Sequence, residues 1–291
     1  MEHPEDECRI VGGNHDKHDD EENAARLEEY KRFIDMKIIM RQSNLNPERA
    51  DSSIRRNTTV IKKLKQINEE QREGLMEELR NVNLSKFVSE AVAAICEAKL
   101  KSSDIQAAVQ ACSLLHQRYK DFSPCLIQGL LKVFSPTKSG DDLDADKSLK
   151  AMRKRSTLKL LIELYFVGVV EDANIFVNII KDLTSIEYLK DRDATQTNLS
   201  LLASFARQGR FFLGLHQSVQ EVEEEFYKGL NLTSDQKKLF KKALHSYYDA
   251  VTELLQSEHT SLRLMELENA KMLNARGELS EESMISYERL K

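Results

Sequence analysis

Three groups of residues have types and spacing that could do chemistry. Cys112 and His116 stand four residues apart, the separation that puts two side chains on one face of a helix. Such a pair can act as a thiolate nucleophile and its base. Cys112 also falls on an apolar stripe with Ile105, Val109 and Leu115, where a free cysteine serves as a small core residue. That reading is preferred. His15 and His18 with Asp16, Asp19 and Asp20 could bind a divalent cation. They lie in a polar acidic tract whose ordering would oppose binding, so no metal is expected. Lys147, Lys150, Arg153, Lys154 and Arg155 form a basic cluster near the start of a long helix. Positive charge there opposes the helix dipole, so helix stability alone does not account for it. An anion-facing patch for RNA or an acidic partner is the functional reading. A solvated face, neutralised by the acidic loop Asp141–Asp146, is the plain one.

The motifs of catalysis are missing. No GxxxxGK[ST] or GxGxxG loop cradles a phosphate, and no HExxH, GxSxG or EF-hand loop occurs. No catalytic residue, cofactor or metal is therefore expected. The four cysteines, Cys8, Cys96, Cys112 and Cys125, contain no CxxC and suggest no disulfide framework. Arg55-Arg56 with Lys62-Lys63 and Lys65, and Lys237-Lys238 with Lys241-Lys242, are weaker basic clusters with acids nearby.

The elements that must position these groups are helices. Only 4 Pro and 10 Gly occur in 291 residues, too few for the turns of an all-β chain. Apolar residues, 41% of the total, recur at three- and four-residue steps. Helices are predicted from a start at Asn46-Pro47-Glu48 through Ile54 to Ile67, up to Val82 behind an Asn68 cap, over Ser85–Lys99, from Ser103-Asp104 to Tyr119, and from Ser123-Pro124 to Phe134. A loop at Ser135–Asp142 follows. The run Leu158–Val170 is apolar enough for a buried strand or a buried helix. It is assigned to a helix from Asp146 to Val167, because the pattern continues upstream through Leu149 and Met152. Further helices are predicted from Glu171-Asp172 to Leu183, and over Asp191–Arg207, Gln217–Leu230, Ser234–Gln256 and Glu258–Ala275. Gly277 stops the last of these, and Ser280 starts a final one. Pairs recur at roughly 35–45 residues, the spacing of HEAT-like repeats. The expected fold is all-α, a HEAT-like helical-hairpin solenoid of about ten helices.

Residues 1–50 hold 13 acidic and 8 basic side chains, so the formal net charge of −5 resides there and the rest balances at 35 of each. Residues 1–22 are predicted to be a disordered acidic tail, residues 23–45 a helical N-terminal arm, and residues 51–291 the HEAT-like middle domain. A balanced domain lacks the global basicity of a dedicated nucleic-acid binder. No apolar run approaches the ~20 residues that span a membrane, and a monomeric, cytoplasmic protein with a perinuclear or nuclear share is expected.

The stretch SKFVSEAVAAICEAKLKSSDIQAAVQACSLLHQRYKDFSPCLIQ at Ser85–Gln128 resembles the first middle domain of the up-frameshift-two scaffold family of nonsense-mediated mRNA decay. Supporting stretches are Asp51-Ser52-Ser53 with Asn57-Thr58, Lys62-Lys63-Leu64-Lys65, Asn83-Leu84-Ser85-Lys86 and Arg276–Glu281. The resemblance implies a domain of the type first described in the middle of translation initiation factor four gamma. It also implies an N-terminal fragment of a longer protein, and a scaffold that joins decay proteins without catalysis. Partners implied are the decay helicase and the adaptor that marks exon junctions, held mainly by regions of the family protein beyond this domain. No binding residue carries over. Alternatives are an RNA-binding module, or an initiation-type domain that binds a DEAD-box helicase.

Overall fold

A computed structural model describes residues 53–135, 144–209, 232–276 and 281–290. The acidic tail, the N-terminal arm, the His15/His18 set and the predicted helix Gln217–Leu230 lie outside them. All the regular elements among the described residues are helices: α1 Ile54–Leu64, α2 Arg72–Asn81, α3 Val88–Glu97, α4 Ile105–Arg118, α5 Phe122–Leu131, α6 Asp144–Phe166, α7 Asn174–Leu183, α8 Arg192–Gln208, α9 Ser234–Arg276 and α10 Glu281–Leu290. Short 3₁₀ turns at Ser102–Asp104 and Ile186–Lys190 precede α4 and α8. The described residues fall into two compact units. One comprises residues 53–130 and 163–170, and the other the remainder.

In the first unit α1 pairs with α2, while α1 also packs on α3 and α2 on α4. Contact between every second helix puts the helices in two layers, the stacking of successive helical hairpins. Each buries one stripe: Val60 and Leu64 on α1, Leu75 and Leu79 on α2, Ala91 and Ile95 on α3. Helix α4 is buried more completely. Small residues at Ala107, Ala108 and Ala111 let neighbouring backbones approach it from several sides, and all three are 0% exposed. Gly129 on α5 marks another close approach, since a Cβ there would stand 2.6 Å from the Cys96 sulfur of α3. Asp104 joins the linkers. Its carboxylate accepts from the backbone of Glu69 at 3.3 Å and of Lys101 at 3.1 Å.

The run Leu158–Val170 is helical as far as Phe166, and its residues from Leu160 to Phe166 are all buried. A stretch apolar on nearly all sides must be enclosed, and Glu163 is buried with it at 8% exposure. Upstream the expectation changes: Leu149 and Met152 are 56% and 53% exposed, so the core begins only at Thr157. The helix ends on Gly168, whose φ is 81°. The Gly168 N–H donates to the Tyr165 carbonyl at 3.1 Å and that of Val169 to Leu164 at 2.9 Å. This left-handed cap closes the last turn, and the buried Val169 and Leu164 cover it. Gly168→Ala should cost about 1 kcal/mol through the left-handed backbone alone, read as a shifted urea midpoint. No measurable loss would mean that the cap relaxes.

In the second unit α7 packs on α8 and α9, and α9 pairs with α10. Phe176, Phe205 and Phe240, one from each of α7, α8 and α9, form a ring chain. Centroids are 6.5 Å apart for the first pair and 5.7 Å for the second, and none of the three exceeds 1% exposure. Helix α7 starts at Asn174, just beyond the predicted Glu171-Asp172 start, and the Asp172 carboxylate accepts from the Asn174 amide at 2.9 Å. Asp191 caps α8 by accepting from the amides of Asp193 at 3.0 Å and Ala194 at 3.2 Å. One predicted boundary fails: Ser234–Gln256 and Glu258–Ala275 are a single helix of 43 residues. Ser257 between them is neither Gly nor Pro, and nothing there breaks the backbone ladder. Beyond Tyr247 no described side chain of α9 is buried.

Candidate partner-binding surface

The thiol–imidazole pair is not assembled. Cys112 is fully buried, and its thiol is pushed up far from the ordinary cysteine value, first by desolvation and then by Cys96. The reactive thiolate is thereby suppressed. His116 instead meets Ser123, with Nδ1 and Oγ 2.6 Å apart. Ser123 is only 6% exposed, so no substrate reaches that hydroxyl. The contact ties the end of α4 to the start of α5. Among the described residues no group of three or more His, Cys, Asp or Glu is placed to hold a metal, and no helix is long and apolar enough to cross a membrane.

The five-residue basic cluster lies on the first half of α6, which the core does not claim. Lys147 is within the helix. Lys150 is exposed and Lys154 partly buried. Four residues of helix separate these two, so their side chains project within about 40° of each other. Burial, and secondarily the Lys150 charge, hold the Lys154 ammonium below the usual lysine value. Two ammonium groups side by side, one partly desolvated, form a site that an anion would relieve. The other two arginines turn away, each about 100° round the helix from Lys154 in opposite directions. Arg153 is exposed. Arg155 crosses to α8, where its Nη2 donates to the Ser200 hydroxyl at 2.9 Å. The cluster is therefore a lysine strip flanked by two divergent arginines, of which Arg155 bonds Ser200.

The lysines at the end of α1 pair with acids from other helices, which sequence spacing does not reveal. Lys63 pairs with Glu78 at 2.5 Å and Lys65 with Glu97 at 2.7 Å, joining α1 to α2 and α3.

A second polar cluster, which spacing does not reveal, is built into the first unit. Arg118 is 9% exposed. Its guanidinium donates to the carbonyls of Leu79 and Val82, the latter at 3.0 Å, at the C-terminus of α2. The adjacent Tyr119 hydroxyl accepts from the Leu84 amide at 2.8 Å, and Asn57 Nδ2 donates to the Asn83 carbonyl at 2.9 Å. Side chains from α1 and the end of α4 thus clamp the linker between α2 and α3.

The model of the MIF4G domain matches residues 54–271. A regulator of nonsense transcripts, UPF2 of Arabidopsis thaliana, is 69% identical over the whole chain. Regulator of nonsense transcripts 2 of Homo sapiens is 36% identical over 246 residues, 82% of this chain. The chain spans a quarter or less of the length of these relatives, 25% and 19% respectively. The crystal structure of the first MIF4G domain of human UPF2 superimposes with a TM-score of 0.69 at 32% identity, covering 93% of this chain and 90% of that one. The N-terminal domain of Saccharomyces cerevisiae Upf2 has a TM-score of 0.71 at 20% identity, covering 91% and 90%, which speaks for the fold alone. The hairpin packing, the matched span and these likenesses agree: the chain belongs to the MIF4G domain family.

Proposed function

We propose that this chain is a non-catalytic scaffold domain of the nonsense-mediated mRNA decay machinery, and that it works by presenting helical surfaces to other decay proteins. The 69% identity over the whole chain to a regulator of nonsense transcripts carries the reading. The geometry supports it. The groups that resemble a nucleophile and its base are spent on packing, whereas the lysines of α6 are held at the surface. The partner surface that fits Lys150 and Lys154 is acidic, and its carboxylates would raise the Lys154 pKa again. The decay helicase and the exon-junction adaptor are the partners that the family suggests.

The test uses the full-length protein and a reporter transcript with a premature stop codon. Replacing residues 53–290 by a neutral linker should stabilise the reporter several-fold at equal protein level. Unchanged decay would sink the scaffold reading. Lys150→Glu with Lys154→Glu should leave thermal stability within about 0.5 kcal/mol, as for surface changes generally. The same pair should weaken an acidic decay partner at least about tenfold, mainly in association rate. Equal binding by the variant would remove α6 from the interface.

A further inference from the structure

A cavity opens at the turn between α1 and α2. Its volume is about 320 Å³, the small end of the ~300–1,000 Å³ range of pockets that take ligands. Ile67 and Leu75 form its apolar floor, with 5% and 4% of their surface exposed. Lys63, Gln66 and Gln71 wall it. The turn is fixed from within. Asn68 Oδ1 accepts from the Gln71 amide at 2.9 Å, Asn68 Nδ2 donates to the Gln66 carbonyl at 3.2 Å, and the Glu69 amide donates to Asp104. The cavity is therefore preformed, and a guest entering it need not order the turn.

Gly74 lines the cavity too. It is the third residue of α2, and a glycine in a helix is less stable than an alanine. A Cβ there would meet nothing within 4 Å, so packing does not demand the glycine. A longer side chain would lean toward the start of α2, into the space beside Gln71. What the glycine preserves is the opening of the cavity. The charge round that opening is negative. Glu70 lines it, and Glu73 and Glu77 stand within about 100° of Gly74 on one side of α2. All three are exposed, and among the described residues none of them pairs with a cation. The cations beside them are taken, Lys63 by Glu78 and Arg72 by Glu69.

We propose that this cavity docks a basic protein segment. One large apolar side chain of that segment fills the space beside Gly74, while flanking lysines or arginines meet Glu70, Glu73 and Glu77. The acids disfavour a nucleic acid or an anionic membrane, whose phosphates they repel. The floor distinguishes a peptide from a simple cation, since a bare charge gains nothing from Ile67 and Leu75, whereas an apolar anchor in a pocket is what carries binding energy. The site lies within the first unit. It shares no residue with the α6 lysines and does not depend on the partner assigned to them.

The experiment is peptide display against the whole 291-residue chain, with the recovered peptides measured by fluorescence anisotropy. Sequences with one large aliphatic or aromatic residue between lysines or arginines should be enriched. Gly74→Leu fills the cavity and should weaken the best of them at least about tenfold. Glu70→Gln, Glu73→Gln and Glu77→Gln together should weaken it about three- to tenfold and remove most of its salt dependence. Gly74→Ala should raise the melting midpoint by about 1–3 °C; a lowered midpoint would mean that the fold needs this glycine, and would overturn the proposal. Circular dichroism checks that the variants fold. Should Gly74→Leu not fold, Gln71→Trp, which blocks the same opening from the turn, takes its place. The proposal is equally overturned if no peptide is enriched, if the enriched peptides are acidic or lack the apolar residue, or if they bind the filled cavity as tightly as the parent. Competition by spermine as strong as that of the peptide would also overturn it, since the acids would then attract any cation.

Discussion

Phe205→Ala is expected to destabilise the fold by about 3–5 kcal/mol, the range for deleting a buried phenylalanine. Phe205 is the middle ring of three and is 0% exposed. Its removal breaks both ring contacts, to Phe176 and to Phe240, each worth about 0.5–1.5 kcal/mol beyond burial. It also leaves a cavity where α7, α8 and α9 meet, and close-packed helices fill such a gap only in part. Urea unfolding followed by helical ellipticity measures the loss. Phe176→Leu, at the end of the ring chain, should cost less than half as much because most of the volume stays. A loss below about 1 kcal/mol at Phe205 would show that the three helices collapse around the gap, and would deny the ring chain its structural role.

Arg118→Met should cost about 3 kcal/mol, for a different reason. Methionine keeps much of the apolar stem. What is lost is the charged donor to the carbonyls of Leu79 and Val82, and each buried acceptor left unpaired costs about 1–3 kcal/mol. The negative end of the α2 dipole also loses its cation. Arg118→Lys should recover only part, since an ammonium lacks the planar fork that reaches two carbonyls at once. Hydrogen exchange gives a local readout. The Leu84 amide, which donates to Tyr119, should exchange faster in the methionine variant, because Arg118 and Tyr119 hold one linker together. Tyr119→Phe should then be less than additive with Arg118→Met. Additive losses would make the two side chains independent anchors.

Asn57, Asn83-Leu84 and Arg118-Tyr119 come from separate stretches of the chain, and the structure brings them to one buried node. They serve the fold rather than a partner. The α6 cluster was legible as charge, but not as geometry. Spacing placed Lys150 and Lys154 together, and only the position of α8 shows that Arg155 is drawn to Ser200. On α9 the lysines stand out in the sequence as a basic cluster with acids nearby. Which of its side chains face solvent depends on the side of the helix that Phe240 and Tyr247 bury.

The sequence by itself determined the helical class, most helix starts and the absence of familiar catalytic motifs. These are local matters. Apolar period and helix-start residues such as Asp191 act within a few residues. It did not determine that α9 runs unbroken through Ser257, because continuity there rests on the lack of any strong stop. The tertiary structure alone decided that the thiol of Cys112 is silenced, that His116 bonds Ser123, and that Leu149 and Met152 stay outside the core. Burial, desolvation and partner choice are set by residues distant in the chain, and no periodicity along one helix encodes what will be packed against it.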